Sequence, residues 1–241
     1  MSSTVPNVPP TLTLLESGFT LRPGTEHEFM NMSEKITGVA IEQPGFLSVG
    51  GGPIAESSWL YFTVKFETPA DMDAWHHHER HQPVQELAKA KWFGRMYLRK
   101  WRVPAAGEEL GDRVLCETVI APAAPLDDAQ LAGLMFALET SLADTNAKPF
   151  ETMTGEFEPR PFQLVGPLEE APHTAPVKYV LVTHWASGAD MEKWLASPGY
   201  EACQALGDTT STAYVPVQEV EGGRSGLRPD RLQRDWSSTA K

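Results

Sequence analysis

The hexapeptide ADMDAW at Ala70–Trp75 returns later in the chain as ADMEKW at Ala189–Trp194, so whatever unit the first copy forms, the second must form as well. An apolar run rich in β-branched and aromatic residues precedes each copy: WLYFTVKF at Trp59–Phe66 and KYVLVTHW at Lys178–Trp185. Both have the length and composition of a strand. A helical stretch follows each hexapeptide, and then a further strand, Arg95–Val103 and Thr212–Val220. Reading backwards in the same register, PGFLSVGG at Pro44–Gly51 answers PFQLVGP at Pro161–Pro167 as a second strand. First strands lie at 11–21 and 113–122, each followed by a helix, about 25–42 and 127–143. In the latter, Leu131, Leu134, Met135, Leu138 and Leu142 recur at three- and four-residue steps, which marks one buried helix face.

Each half therefore reads β-α-β-β-α-β, the split βαβ order of a ferredoxin-like unit. Such a sheet carries helices on one face only. Its other face is apolar and must be covered by a second sheet, which this chain can supply to itself. The expected fold is α+β: two fused ferredoxin-like units, residues 10–106 and 112–221, closing as an intramolecular dimeric α+β barrel. A short linker joins them at Pro104–Asp112. Residues 222–241 are polar, Gly-rich and aperiodic, and are expected to be disordered or to lie along the surface.

A net charge of −12, with no basic stripe, repels phosphate backbones and argues against a nucleic-acid partner. No apolar run approaches the roughly 20 residues that a membrane span needs. The N-terminus, MSSTVPNVPP, has neither a basic nor an apolar segment, so a cytoplasmic location is expected. Cys116 and Cys203 are far apart and read as reduced, partly buried thiols.

PGF before the second strand, an aromatic closing the third (Phe66, Trp185) and a Trp nine residues on (Trp75, Trp194) together resemble the antibiotic biosynthesis monooxygenase superfamily, here as a tandem two-copy member. That resemblance implies the barrel fold and, more weakly, an oxygenase. Members of that superfamily include cofactor-independent quinone-forming oxygenases and flavin-assisted ring-cleaving ones. Two other likenesses are weaker. The haem degraders place an axial His ten residues after the helix Trp, where this chain has Gln85 and Gln204, neither a plausible iron ligand. Sulfur oxygenase reductases use an H-x-x-x-H pair, a Glu and a reactive Cys. His77 and His81 have that spacing, but the Cys place falls at Thr37 and the Glu place near Arg102.

The strongest local anomaly is WHHHERHQP at Trp75–Pro83. In the repeat register His76 stands for Leu195 and His81 for Tyr200, inward positions, whereas His77 and His78 stand for Ala196 and Ser197. His76 and His81 are accordingly the candidate catalytic residues. Oxidation of a phenol by O2 begins with loss of its hydroxyl proton, and an imidazole ionising near pH 6–7, or lower if buried, can accept it. His77 and His81, at i and i+4, are the candidate metal pair, although no third ligand lies in the segment. Trp59, Tyr61, Trp75, Trp92 and Tyr97, with Trp101, are candidate walls of a cleft for a planar ligand, set against ordinary core packing. His184 falls where a strand faces the intersheet interface. Gly50–Gly52 reads as a bulge or turn closing the second strand.

Three functions stay open: an oxygenase for a planar polyketide-type phenol or hydroquinone, needing no cofactor or a reduced flavin; a small-molecule binding or stress-response protein without turnover; and a His-ligated metal-dependent oxygenase. In each case the partner is a small aromatic molecule, and the chain is a monomeric pseudo-dimer or a homodimer.

Overall fold

The computed structural model describes residues 11–111, 113–143, 145–148, 160–172, 177–217 and 234–235. In the first unit β1 (Thr13–Leu21), α1 (Glu26–Ile41), β2 (Phe46–Pro53), β3 (Leu60–Phe66), α2 (Pro69–His76), α3 (Gln82–Leu87), a π-helical turn Ala88–Trp92 and β4 (Phe93–Arg102) follow one another. The second unit comprises β5 (Val114–Ala121), α4 (Asp128–Leu142), β6 (Phe162–Val165), β7 (Glu169–Ala171), β8 (Tyr179–Trp185), α5 (Gly188–Leu195), α6 (Pro198–Leu206) and β9 (Asp208–Pro216). β10 (Arg234–Asp235) pairs with β4. The rest of the tail expected over 222–241 lies outside the described residues.

The repeated hexapeptide proves to be a helix start that doubles as a packing plug. Thr68 and Ser187 cap α2 and α5, their side chains accepting from the backbone N–H of Asp71 and Asp190. One turn on, Met72 and Trp75, like Met191 and Trp194, are buried against the sheet. In both units the helix then breaks, at His77 and at Ala196, before a second short helix begins at Gln82 and at Pro198. That break is a departure from the single helical stretch expected.

The strands run β4-β1-β3-β2 in one unit and β9-β5-β8-β6 in the other, the same order twice. The units join at two seams. Trp101 and Arg102 of β4 pair with Pro216 and Val215 of β9. At the far edge β7 leaves its own unit to pair with β2, and Ile54 bridges Val165. The glycines Gly50–Gly52 sit inside β2 and are not a turn. A Cβ on Gly51 would lie 2.9 Å from the Tyr61 carbonyl of the neighbouring β3, and one on Gly52 would lie 3.1 Å from the Pro167 carbonyl, so Gly52 lets the second seam approach.

Closure buries an inner core drawn from both units: Leu14, Tyr61, Tyr97 and Trp101 against Leu115, Val180, Val182 and Tyr214. Strand alternation also sends charges inward. Glu117 holds in β5 the place of Glu16 in β1, each opposite the matching position of the third strand, Val182 and Thr63. Each is answered by the other unit: Lys65 pairs with Glu117, and His184 Nε2 lies 3.8 Å from Glu16. Trp101 Nε1 donates to Glu16 (2.7 Å), and Tyr97 donates across the interior to Gln163 (2.8 Å). Burial opposes the Glu16 charge, but Arg99, the nearby His184 and the hydrogen bond from Trp101 outweigh it, leaving its pKa below the usual value. Burial pushes His184 down to about 4, against the pull of Glu16.

Removing one member of a buried ion pair strands the other, whereas removing both often costs little. Lys65→Met should lower the free energy of unfolding by about 3 kcal/mol, and adding Glu117→Leu should recover most of it. Urea denaturation of the two variants measures this, and equal losses would contradict the pairing. His184 is neutral in the fold and takes a proton in the unfolded chain below pH about 6.5, so its contribution is present above that pH and is lost as pH falls toward 4. The loss should reach about 3 kcal/mol, and His184→Gln should flatten that part of the stability–pH curve.

Candidate functional site

On the outer face of the first unit's sheet, under α1 and α3, lies a cavity of about 320 Å³. The alternation that turns Leu14 and Glu16 into the barrel turns Leu15, Ser17 and Phe19 of β1 outward to form the cavity floor, joined by Phe62, Met96 and Leu98. Phe29, Ser33 and Ile36 of α1 roof it. Trp75, His76, His81, Val84, Gln85 and Trp92 close the side.

The second unit fills the corresponding space. There α4 buries Leu134, Met135 and Leu138, and Tyr200 packs edge-to-face on Trp194 at 6.0 Å with Cys203 behind it. By contrast α1 buries only Val39 and Ala40 near its C-terminal end, and its inward residues Phe29, Ser33 and Ile36 stay half-buried over the void. Ser33 is the most telling difference, because a small polar residue stands where α4 sets an apolar one.

Two imidazoles supply the cavity's polar end. His81 is buried and stacks on Trp75, with ring centroids 4.1 Å apart. His76 meets it nearly at right angles, centroids 6.2 Å apart. Burial pushes both pKa values down to about 4. Lys100 and the neighbouring histidines add to the effect at His76, while at His81 the Trp75 carbonyl opposes it in part. The ionisation expected near 6–7 is therefore displaced, and both rings are neutral at pH 7. Gln85 donates to the His76 carbonyl (2.9 Å) and approaches His81 Nδ1 (3.1 Å).

Of the expected site residues, His76, His81, Trp75 and Trp92 meet here. Trp59, Tyr61 and Tyr97 do not, nor does Trp101. All four are buried in the core between the sheets, one residue out of phase with the cavity floor. His77 and His81 do not share a helix face, because α2 ends at His76 and α3 begins only at Gln82. His77 is exposed at the helix end, with Nδ1 2.9 Å from the Asp73 carbonyl. Among the described residues no group of three or more His, Cys, Asp or Glu side chains is placed to hold a metal ion. No described helix is long and apolar enough to cross a membrane. Sequence reading missed Gln85, Ser17 and Ser33. Gln85 had registered only as an absent haem ligand, and the contrast of Ser33 with the apolar face of α4 was the available signal for the void.

Residues 168–206, from the start of β7 to the end of α6, match the antibiotic biosynthesis monooxygenase family, in agreement with the resemblance. No curated protein matches the chain in sequence. Similar solved structures include an aldoxime dehydratase in complex with butyraldoxime, with 10% identity over 84% of this chain and 78% of that one and a TM-score of 0.48. An anthrone oxidase-like protein is 15% identical over 89% of this chain and 92% of that one, with a TM-score of 0.34. An uncharacterized ferredoxin fold protein from Listeria monocytogenes, related to antibiotic biosynthesis monooxygenases, is 11% identical over 85% and 96%, with a TM-score of 0.29. None of these likenesses decides the reaction.

If the void is kept open at a cost in stability, filling it should stabilise the fold. Ser33→Met, which copies the apolar face of α4, should raise the free energy of unfolding by about 1 kcal/mol by burying apolar surface. Urea midpoints measure this, and a lower midpoint would show that the space is already packed.

Proposed function

We propose that the protein is an oxygenase that binds one planar phenol or hydroquinone in the first unit's cavity and removes its hydroxyl proton, so that the electron-rich anion reacts with O2. The observation that carries this reading is a pair of neutral imidazoles at one end of an otherwise largely apolar, aromatic-lined cavity. Such a wall suits a fused-ring ligand, and a neutral imidazole in reach of its hydroxyl suits proton transfer. Desolvation by the same wall makes the anion more reactive toward oxygen.

The step balances without an added reductant. Converting a ring methylene, or a ring C–H para to the hydroxyl, to a carbonyl is a net four-electron oxidation when it yields a quinone from an anthrone-type substrate. O2 accepts those four electrons, one oxygen entering the carbonyl and the other leaving as water. A hydroquinone instead gives up two electrons and two protons to become its quinone, and O2 leaves as hydrogen peroxide. At about 320 Å³ the cavity is near the lower end of small-molecule sites, roughly 300–1000 Å³, which gives room for one compact ring system and not for a flavin beside it. Reduced flavin is accordingly an addition to the assay and no part of the proposed step. One chain supplies the whole cavity, so no partner copy is invoked.

Oxygen uptake with anthrone and hydroquinone substrates, with and without reduced flavin, tests the reading. His76→Gln should lower kcat/KM by about 10²–10⁴-fold if His76 takes the proton. Since His76 and His81 both ionise at about 4, kcat/KM should be level from about pH 5 to 8 and fall as pH drops through about 4. Saturable binding without uptake across a varied panel would favour a binding protein. An ionisation near pH 6–7 that persists in both His76→Gln and His81→Gln would remove the histidines from the step.

A further inference from the structure

We infer that the two histidines have opposite roles, fixed by Gln85: His81 presents an N–H donor to the cavity, His76 presents an acceptor, and one hydroxyl oxygen of the ligand sits between them. This rests on the reading of the cavity as a phenol site and adds the functional group that it selects.

The assignment follows from the hydrogen-bond chemistry of a single amide. The terminal nitrogen of Gln85 lies 2.9 Å from the His76 carbonyl oxygen and 3.1 Å from His81 Nδ1. Turning the amide over would set its oxygen against that carbonyl, two acceptors face to face, so the NH2 group must point this way. One of its hydrogens goes to the carbonyl and the other points at Nδ1. A nitrogen that receives a hydrogen bond carries no proton of its own. Neutral His81 therefore keeps its proton on Nε2, which makes no hydrogen bond among the described residues and is left to the cavity.

The Trp75 carbonyl, 3.2 Å from the same Nδ1, would favour the other tautomer, with Nδ1 protonated. Gln85 decides between the two. Without its N–H, the carbonyl would capture an Nδ1 proton and Nε2 would become an acceptor, giving the cavity two bases and no donor. His76 has no such constraint: neither of its ring nitrogens has a hydrogen bond among the described residues. The charged and titratable groups around the pair are Lys100, Asp73, His77 and His78, with Lys89 also lining the cavity.

At a centroid separation of 6.2 Å and nearly perpendicular planes, one oxygen can reach a nitrogen of each ring at hydrogen-bond length, about 2.8 Å. A phenol meets both needs, donating to His76 and accepting from His81. As it ionises, the oxyanion keeps the His81 hydrogen bond while the proton rests on His76. A methyl ether of the same ring system can only accept. Gln85 is thus a positioning residue, acting on the ligand through His81.

Nitrogen-15 NMR of the histidine side chains in the full ligand-free chain at pH 7 reads the tautomer directly. Wild-type His81 should be protonated on Nε2. Gln85→Leu and the near-isosteric Gln85→Glu should both move the proton to Nδ1, and the second guards against a packing defect in the first. Calorimetry with 2-naphthol and its methyl ether supplies the ligand arm: the wild type should prefer the phenol at least tenfold, and Gln85→Leu should lose most of that preference. An Nδ1 proton in the wild type, or an unchanged tautomer in both variants, overturns the role given to Gln85. Equal binding of phenol and ether overturns the shared oxygen. If tautomers and binding come out as expected and no substrate consumes oxygen, the oxygenase reading fails and this inference stands.

Discussion

Everything in this chain depends on covering the inner faces of two four-stranded sheets. A ferredoxin-like unit alone would expose Leu14, Tyr61, Tyr97 and Trp101, or Leu115, Val180, Val182 and Tyr214, to water. Each set is the lid of the other. The closure is also chemically addressed, because Glu16 and Glu117 occupy equivalent inward places and each meets a partner from the opposite unit, the neutral His184 for the one and the Lys65 cation for the other, with Arg99 of Glu16's own unit supplying its positive charge. Buried carboxylates without such partners would be too costly to keep. The interior thus favours the pairing of unlike units over a slipped or self-paired arrangement.

Once the inner faces are closed, the outer faces are free to diverge. In the second unit α4, Tyr200 and Cys203 pack the space above the sheet. In the first, Ser17 and Ser33 take little volume, the inward residues of α1 stay half-buried, and two histidines border the gap. One unit then serves as scaffold and the other as container. Stability resides in the shared interior, so the container can tolerate a void.

The fold was legible because its causes are local and periodic. The caps Thr68 and Ser187, the plugs Met72–Trp75 and Met191–Trp194, and the inward alternation of the strands are all written in short stretches of sequence. His76 and His81 could be picked out because their counterparts, Leu195 and Tyr200, are inward residues of a recognisable repeat. What could not be read was which face of a strand an aromatic residue takes when both faces are buried. Tyr61 and Phe62, or Tyr97 and Leu98, are neighbours in sequence and lie on opposite sides of the sheet, and composition does not separate a barrel core from a cavity wall. The π-helical turn, the excursion of β7 to the other unit and the Gln85 contact with His81 depend on long-range packing that no local pattern announces.

The most direct test of the whole account is a crystal structure of the full chain grown with 2-naphthol. The account predicts one molecule per chain, its ring between Phe29 and Phe62 and its hydroxyl oxygen within hydrogen-bond reach of both His76 and His81. A ligand seated beside Tyr200 in the second unit, or one in the first-unit cavity with its hydroxyl turned away from the two imidazoles, would contradict it.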